Sequence, residues 1–155
     1  MEHRNSATAD RLRDVGLRVT APRVAVLEVL AEHPHATAET VAGLVRARLG
    51  RVSTQAVYDV LGACTDTGLV RRIVPAGSPA RFETRTGDNH HHLVCRECGR
   101  TVDVDCVAGA APCLAPQDAA GFVVDEAEVV FWGSCPGCRD GRLPNTSIHH
   151  EEARQ

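Results

Sequence analysis

Two Cys-x-x-Cys pairs, Cys95/Cys98 and Cys135/Cys138, constrain this chain more than any other feature in it. Four thiolates in two such pairs match a closed, tetrahedral zinc site. Each pair lies in a turn-forming stretch, with Arg96-Glu97 ahead of Cys98-Gly99 and Pro136-Gly137 ahead of Cys138. Such turns let both sulfurs point at one ion about 2.3 Å away. The 36 residues between Cys98 and Cys135 are too many for a simple zinc finger and leave room for a helix and a strand. An ion shared by all four sulfurs therefore pins the last strand beside the first strand of the C-terminal half, and leaving the metal out unfolds that half. A thioredoxin-like dithiol fits less well, because there are two pairs and no βαβ pattern around either.

At 155 residues the chain holds one ordinary domain or two small ones. A small domain has a thin core, which makes a metal staple physically useful. No apolar run is long enough to span a bilayer and no signal peptide precedes residue 20, so the expected location is the cytoplasm, with no membrane partner. Seven cysteines there read as metal ligands or redox groups rather than a disulfide framework. Charge is unevenly split. Residues 1–85 carry 12 Arg against nine carboxylates, and residues 86–155 carry five Arg against 11, so +3 and −6 make up the total of −3. A basic half joined to an acidic half hints at a polyanion-binding module linked to something else.

Along the chain, residues 1–7 are expected to be disordered and a short helix to run from Thr8 to Val15, stopped by Gly16. Thr20 is expected to cap a helix with Pro22 in its first turn and Val24, Leu27 and Leu30 as its buried stripe. His33-Pro34-His35-Ala36 breaks it. Thr37 caps a third helix carrying Val41, Leu44, Val45 and Leu49, ended by Gly50. Ser53 caps a fourth, Thr54–Thr67, in which Val57, Val60, Leu61 and Cys64 share one face while Thr54, Gln55, Tyr58 and Asp59 point the other way. Leu69–Val74 and Ala80–Thr84 read as strands joined by Pro75-Ala76-Gly77-Ser78-Pro79. Three helices followed by a hairpin is the order of a winged helix, whose second helix-turn-helix element enters the DNA major groove. The rival is a helical bundle using that polar face for solvent or a partner.

Beyond residue 86, His90–Val94 and Arg100–Asp105 read as strands around the first Cys pair. Cys113–Ala120 reads as a short helix stopped by Gly121, Phe122–Trp132 as a strand, and 141–155 as a frayed tail. Glu83, His90, His91, His92 and Asp103 gather around the first pair in sequence. On a strand, His90 and His92 point to one face and His91 to the other. Two imidazoles with carboxylates suit Fe²⁺, Mn²⁺ or Zn²⁺. On spacing alone, His35 is a loop histidine. An enzyme is disfavoured: four thiolates leave no open zinc position for water, the zinc deaminase signature is incomplete, and neither His-Glu-x-x-His nor Gly-x-Ser-x-Gly occurs. A zinc-stapled protein–protein adaptor is a further rival.

Taken together, Leu17-Arg18-Val19-Thr20-Ala21-Pro22-Arg23, Ser53-Thr54-Gln55-Ala56-Val57-Tyr58, Gly68-Leu69-Val70, Arg81-Phe82-Glu83, His90-His91-His92-Leu93-Val94-Cys95 and the two Cys pairs resemble the ferric uptake regulator superfamily across residues 8–139. The chain is most similar to the actinobacterial FurA/CatR branch of peroxide-responsive repressors of a catalase gene and of themselves. The resemblance implies an α+β protein: a winged-helix DNA-binding domain at 1–82, a hinge at 83–88, a small αβ zinc-stapled dimerisation and metal-binding domain at 89–140, and a flexible tail at 141–155. It implies a homodimer on double-stranded operator DNA. It assigns structural Zn²⁺ to Cys95, Cys98, Cys135 and Cys138, and regulatory Fe²⁺ or Mn²⁺ to His35, Glu83, His90, His92 and Asp103 between the domains. Arg18, Arg23, Thr54, Gln55 and Tyr58 are the expected DNA contacts. Peroxide would act through iron at His35 or His90, Asp103 standing where iron sensors have Glu, or through the spare thiols Cys106 and Cys113. The alternative within the family is a repressor of iron, manganese, zinc or nickel uptake. Two departures stand out. Asp59 replaces the family's Arg after the recognition-helix Tyr, which shifts phosphate contacts towards Arg18 and Arg23. Asn89, Ala110 and Ala127 replace usual ligands of a third metal site.

Overall fold

The computed structural model describes residues 2–106 and 114–141, with side chains from Ser6 onward. The architecture is α+β, and the chain divides into two compact units, Met1–Asp88 and Asn89–Gln155. Among the described residues no helix is long and apolar enough to cross a membrane.

The first unit contains four helices, α1 (Glu2–Asp14), α2 (Ala21–Glu32), α3 (Ala38–Leu49) and α4 (Thr54–Asp66). α1 starts at Glu2 rather than at the expected Thr8, so the expected disorder at its start is not seen. Nothing in Asn5-Ser6-Ala7-Thr8-Ala9 stops a helix, and alanine favours one. Its end is as read: Gly16 takes φ +76°, and Leu17 N–H bonds to Leu12 O at 2.8 Å. α2 is central, with α1, α3 and α4 packed on it. Val24, Leu27 and Leu30 are buried as the spacing predicts, but so are Ala25, Val26 and Val29, which its neighbours cover from the other sides. Thr20 has the backbone of an N-cap without a side-chain capping bond. Thr37 and Ser53 do cap: their hydroxyls accept from Thr40 N–H at 3.3 Å and Ala56 N–H at 3.1 Å. Leu49, expected on the buried stripe of α3, is 39% exposed at that helix's last turn.

A small sheet completes this unit. Strands β2 (Arg71–Ile73) and β3 (Arg81–Glu83) form the expected hairpin, shorter at each end than the apolar run suggests. Pro75 and Pro79 flank the turn and cannot donate to a ladder. Ser78 N–H closes that turn on Pro75 O at 3.0 Å, with Gly77 supplying the φ of +71°. A third strand, β1 (Ala36–Thr37), pairs antiparallel with β3, giving the order β1-β3-β2. Helices α2 to α4 with this sheet make the winged helix.

The second unit is a three-stranded sheet of β4 (His90–Cys95), β5 (Thr101–Asp105) and β6 (Val130–Gly133), in the order β5-β4-β6. β5 runs antiparallel to β4 and β6 parallel to it. Only the last few residues of the expected Phe122–Trp132 strand join a ladder. Asp125, Glu126 and Glu128 interrupt the apolar run, and Phe122 and Val123 stand 78% and 95% exposed. No helix forms over 114–120. Pro116 disfavours one, and Asp118 Oδ1 accepts from Ala120 N–H at 2.8 Å, an Asx-type turn. Cys113, Ala110 and most of the tail lie outside the described residues. A one-turn helix, α5 (Pro136–Arg139), carries the second Cys pair.

Strand pleating splits β4 into two faces. His90, His92 and Val94 share one; His91, Leu93 and Cys95 share the other. In register across the second face, Val102, Leu93 and Phe131 form a row, each more than two-fifths exposed.

Candidate functional site

The parallel pairing of β4 with β6 sets Cys95 opposite Gly133, and so brings the first Cys pair beside the second. The Sγ atoms of Cys95, Cys98, Cys135 and Cys138 lie within 4.8 Å of one another, with Cys98 and Cys135 3.7 Å apart. Four sulfurs about 2.3 Å from one zinc ion stand ~3.8 Å apart at the corners of a tetrahedron, so this cluster fits that ion. Backbone amides help. The Cys138 N–H, with smaller help from the neighbouring thiols, pulls the Cys135 thiol down to about 7, while burial among the other sulfurs pushes Cys138 up. One thiol of the crowded set ionises first, and its charge holds the next one back.

Residues between the cysteines lock the two pairs together, a feature that spacing did not reveal. Arg96 N–H donates to Gly133 O at 2.9 Å, and its guanidinium lies 5.3 Å from the ring centre of Trp132. Glu97 joins the pairs by accepting from Ser134 Oγ at 2.6 Å, and within its own pair accepts from the Cys95 thiol, while that is protonated, at 3.0 Å. These bonds, Ser134 first, hold its carboxyl below the usual carboxylate range. Their sequence signal is adjacency alone: each sits immediately beside a ligand cysteine.

Each unit separately assembles part of the expected imidazole–carboxylate set. In the first unit the chain leaves α2 through His35, which holds φ +63°, a left-handed conformation uncommon outside glycine. His35 N–H donates to Phe82 O at 2.9 Å, and Arg81 Nη1 donates to His35 O at 3.1 Å. Clamped by β3 at both backbone groups, His35 brings Nε2 within 2.9 Å of Glu83 Oε2, and both side chains are buried. In the second unit, His90 and His92 project from one face of β4 with ring centres 5.0 Å apart. Asp103, opposite His92 in register, places Oδ1 3.7 Å from His92 Nε2 and 3.9 Å from His90 Nε2. His90 and His92 are almost fully buried. Burying polar rings carries a cost unless partners compensate. Both donor sets are hard-to-intermediate nitrogen and oxygen ligands without sulfur, which suits Fe²⁺ or Mn²⁺.

On α4 the expected outward face is outward. Thr54, Gln55, Tyr58 and Asp59 are exposed, and Val57, Val60, Leu61 and Cys64 are buried behind them. Arg46 of α3, not singled out by the sequence reading, donates from Nη1 to Thr54 Oγ1 at 2.8 Å. Arg18 is exposed, whereas Arg23 folds back to donate to Arg18 O at 2.8 Å. Cys106 is half-buried at the end of β5, its N–H on Asn89 O at 3.3 Å. Burial raises the Cys64 thiol, consistent with an inert core residue.

Against known proteins, the model of the "Ferric uptake regulator family" matches residues 14–108. The "Transcriptional regulator FurA" of Mycobacterium tuberculosis is 62% identical over 142 residues, covering 92% of this chain and 95% of that protein. The "Peroxide-responsive repressor PerR" of Staphylococcus saprophyticus is 30% identical over 146 residues, covering 90% and 95%. Among solved structures, the ferric uptake regulator from Pseudomonas aeruginosa with manganese superposes with a TM-score of 0.61 at 27% identity, over 83% of this chain and 98% of that one.

Proposed function

The chain belongs to the ferric uptake regulator family of DNA-binding, metal-binding transcriptional regulators, and from that premise we propose that it is a dimeric repressor that holds operator DNA while its regulatory metal is bound and releases it on oxidation by peroxide. Its targets would be a catalase gene and its own gene, and it would act in the cytoplasm. Cys95, Cys98, Cys135 and Cys138 hold structural zinc. His35, Glu83, His90, His92 and Asp103 hold Fe²⁺ or Mn²⁺. Arg18, Arg23, Thr54, Gln55 and Tyr58 face DNA. Residues 1–82 bind DNA, 83–88 flex, and 89–140 dimerise.

The observation that carries this reading is that the donor set is prepared in two halves. His35–Glu83 and His92–Asp103 are each drawn together within their own unit, at 2.9 and 3.7 Å. A metal that needs both halves favours one arrangement of the two units, and only its differential affinity for that arrangement moves the equilibrium. Shifting a mostly open population to a mostly closed one takes about 5.5 kcal/mol, within reach of a multidentate site. In the closed dimer the two α4 helices would meet successive major grooves.

Bound Fe²⁺ would supply the electron that reduces peroxide. What the chain contributes is a ligand imidazole at that position, His35 or His90, whose oxidation removes a donor and with it the preference for the closed arrangement. The thiols Cys106 and Cys113 offer a second route to the same release. The rival reading, a repressor of metal uptake, draws support from the manganese-bound regulator of Pseudomonas aeruginosa.

The test is binding of zinc-loaded protein to its own upstream DNA with Fe²⁺ or Mn²⁺, each with and without peroxide. Loss of the Fe²⁺ complex alone supports the iron route. Loss of both, restored by dithiothreitol, supports the thiols. No response to peroxide removes the peroxide reading and leaves the uptake repressor. His92→Ala should keep its zinc yet weaken Mn²⁺-dependent DNA binding roughly tenfold or more.

A further inference from the structure

We propose that Asp59 is a positioning residue for base readout: its carboxylate fixes which way round the amide of Gln55 faces DNA, and so directs that side chain to adenine. This rests on the reading of α4 as the recognition helix. Gln55 Nε2 donates to Asp59 Oδ1 at 2.8 Å across one turn of α4, and both residues are exposed. The helix beneath them is held firmly. Val57, Leu61 and Cys64 are sealed in the core behind, and the first turn is tied by the Ser53 cap and by Arg46 on Thr54. A side chain pinned on a rigid element presents its polar edge with little loss of freedom on binding.

The chemistry follows from donor and acceptor counting. A free glutamine amide can turn over, offering either its carbonyl or its NH₂ group on a given side. A carboxylate only accepts, so it takes an N–H and repels the carbonyl oxygen. With one N–H given to Asp59, Gln55 keeps one N–H and Oε1 side by side. Adenine presents the complement in the major groove, the N7 acceptor beside the N6 donor. Guanine presents two acceptors, N7 and O6, and mismatches that pair. A donor at position 59 would invert the arrangement. It would hold Oε1 and leave both N–H groups outward, the pattern guanine takes. Asp59 also carries a negative charge towards phosphates, so it lowers affinity for every sequence while sharpening discrimination at one base pair.

The experiment uses the full chain, loaded with zinc and Mn²⁺, against a pool of duplexes with a randomised core, at two salt concentrations. Bound duplexes are sequenced to give a base preference at each position. Asp59→Ala should lose an adenine preference at one base pair per half-site, by roughly tenfold, without weaker overall binding. Asp59→Glu, still acceptor-only, should keep most of it. Asp59→Arg should move the preference at that pair to guanine and steepen the salt dependence. Gln55→Ala should erase the same preference, and adding Asp59→Ala to it should change nothing more at that position. An unchanged base profile in Asp59→Ala overturns the proposal. So does an Asp59→Arg protein that binds all sequences more tightly with its profile intact. If the unmodified protein selects no sequence at all, the recognition-helix reading fails, and that failure is visible before any variant is made.

Discussion

Leu12, Leu27, Leu30, Val45, Val57 and Leu61 of the first unit are all but sealed from solvent, and they belong to one continuous apolar cluster. In the second unit the buried side chains among the described residues are Val94, Cys95 and three histidines. The first unit therefore has the ordinary source of stability, about 1.5–3 kcal/mol for each large aliphatic side chain taken from water. The second has almost none of it, and instead exposes the row Val102, Leu93 and Phe131 on one face of its sheet. A sheet of this size does not hold itself together on hydrogen bonds. On the proposed function two other sources would supply the stability, an ion on the four sulfurs and a second copy covering the apolar row. The chain's one tyrosine, Tyr58, sits in the first unit and its one tryptophan, Trp132, in the second, so each unit carries its own optical reporter.

The contrast can be broken most directly by taking the metal away. With zinc removed by a strong chelator, or in Cys98→Ser, Trp132 emission should shift to the red and the amides of β4 to β6 should lose exchange protection. Those of α2 should keep theirs. Structural zinc contributes on the order of 10 kcal/mol in small domains. Equal loss in both units would mean that they do not differ in this way. Leu61→Ala is the converse. It should cost about 2–5 kcal/mol, seen in the thermal unfolding of the first unit, with zinc content still at one ion per chain. Leu93→Asp should sharpen the argument about the apolar row. It should weaken self-association by about 2 kcal/mol in sedimentation and leave the metal in place; a variant that associates like the parent would clear this row of any part in the interface. The smallest effect belongs to Ser53→Ala, about 1 kcal/mol through loss of one bond to Ala56 N–H, confined to the first unit.

What could be read in advance was local. The caps at Thr37 and Ser53 and the stops at Gly16 and Gly50 depend on a few neighbouring residues, and the two Cys pairs declare themselves by spacing. What could not be read depends on partners far along the chain. β1 is two residues long and exists because it pairs with Phe82 and Arg81; no periodicity announces such a strand. The left-handed turn that carries His35 to Glu83 has the same origin, so spacing alone places His35 in a loop. The ties from Arg96 and Glu97 to Trp132, Gly133 and Ser134 join residues about 37 positions apart in the second unit. Phe122–Val129 erred the other way. Its composition favours a strand, but β-propensity is chiefly a fit to neighbouring strands, and among the described residues only Val129, at its end, meets one, its carbonyl accepting from His92 N–H of β4 at 3.2 Å.

The parallel ladder between β4 and β6 has a consequence for how this chain tolerates change. It fastens the two ends of a long detour directly to each other, at Cys95 and Gly133, so what happens along the detour beyond β5 hardly alters the clasp. The entropic penalty for closing a flexible loop rises only logarithmically with its length, and doubling it adds about 0.6 kcal/mol. Insertions or deletions around 114–121 should therefore leave the four-sulfur cluster intact, whereas a single residue added between Cys95 and Cys98 would put a sulfur out of reach. The stretch between β5 and β6 is free to drift in length as long as those two strands and the knuckles beside them do not.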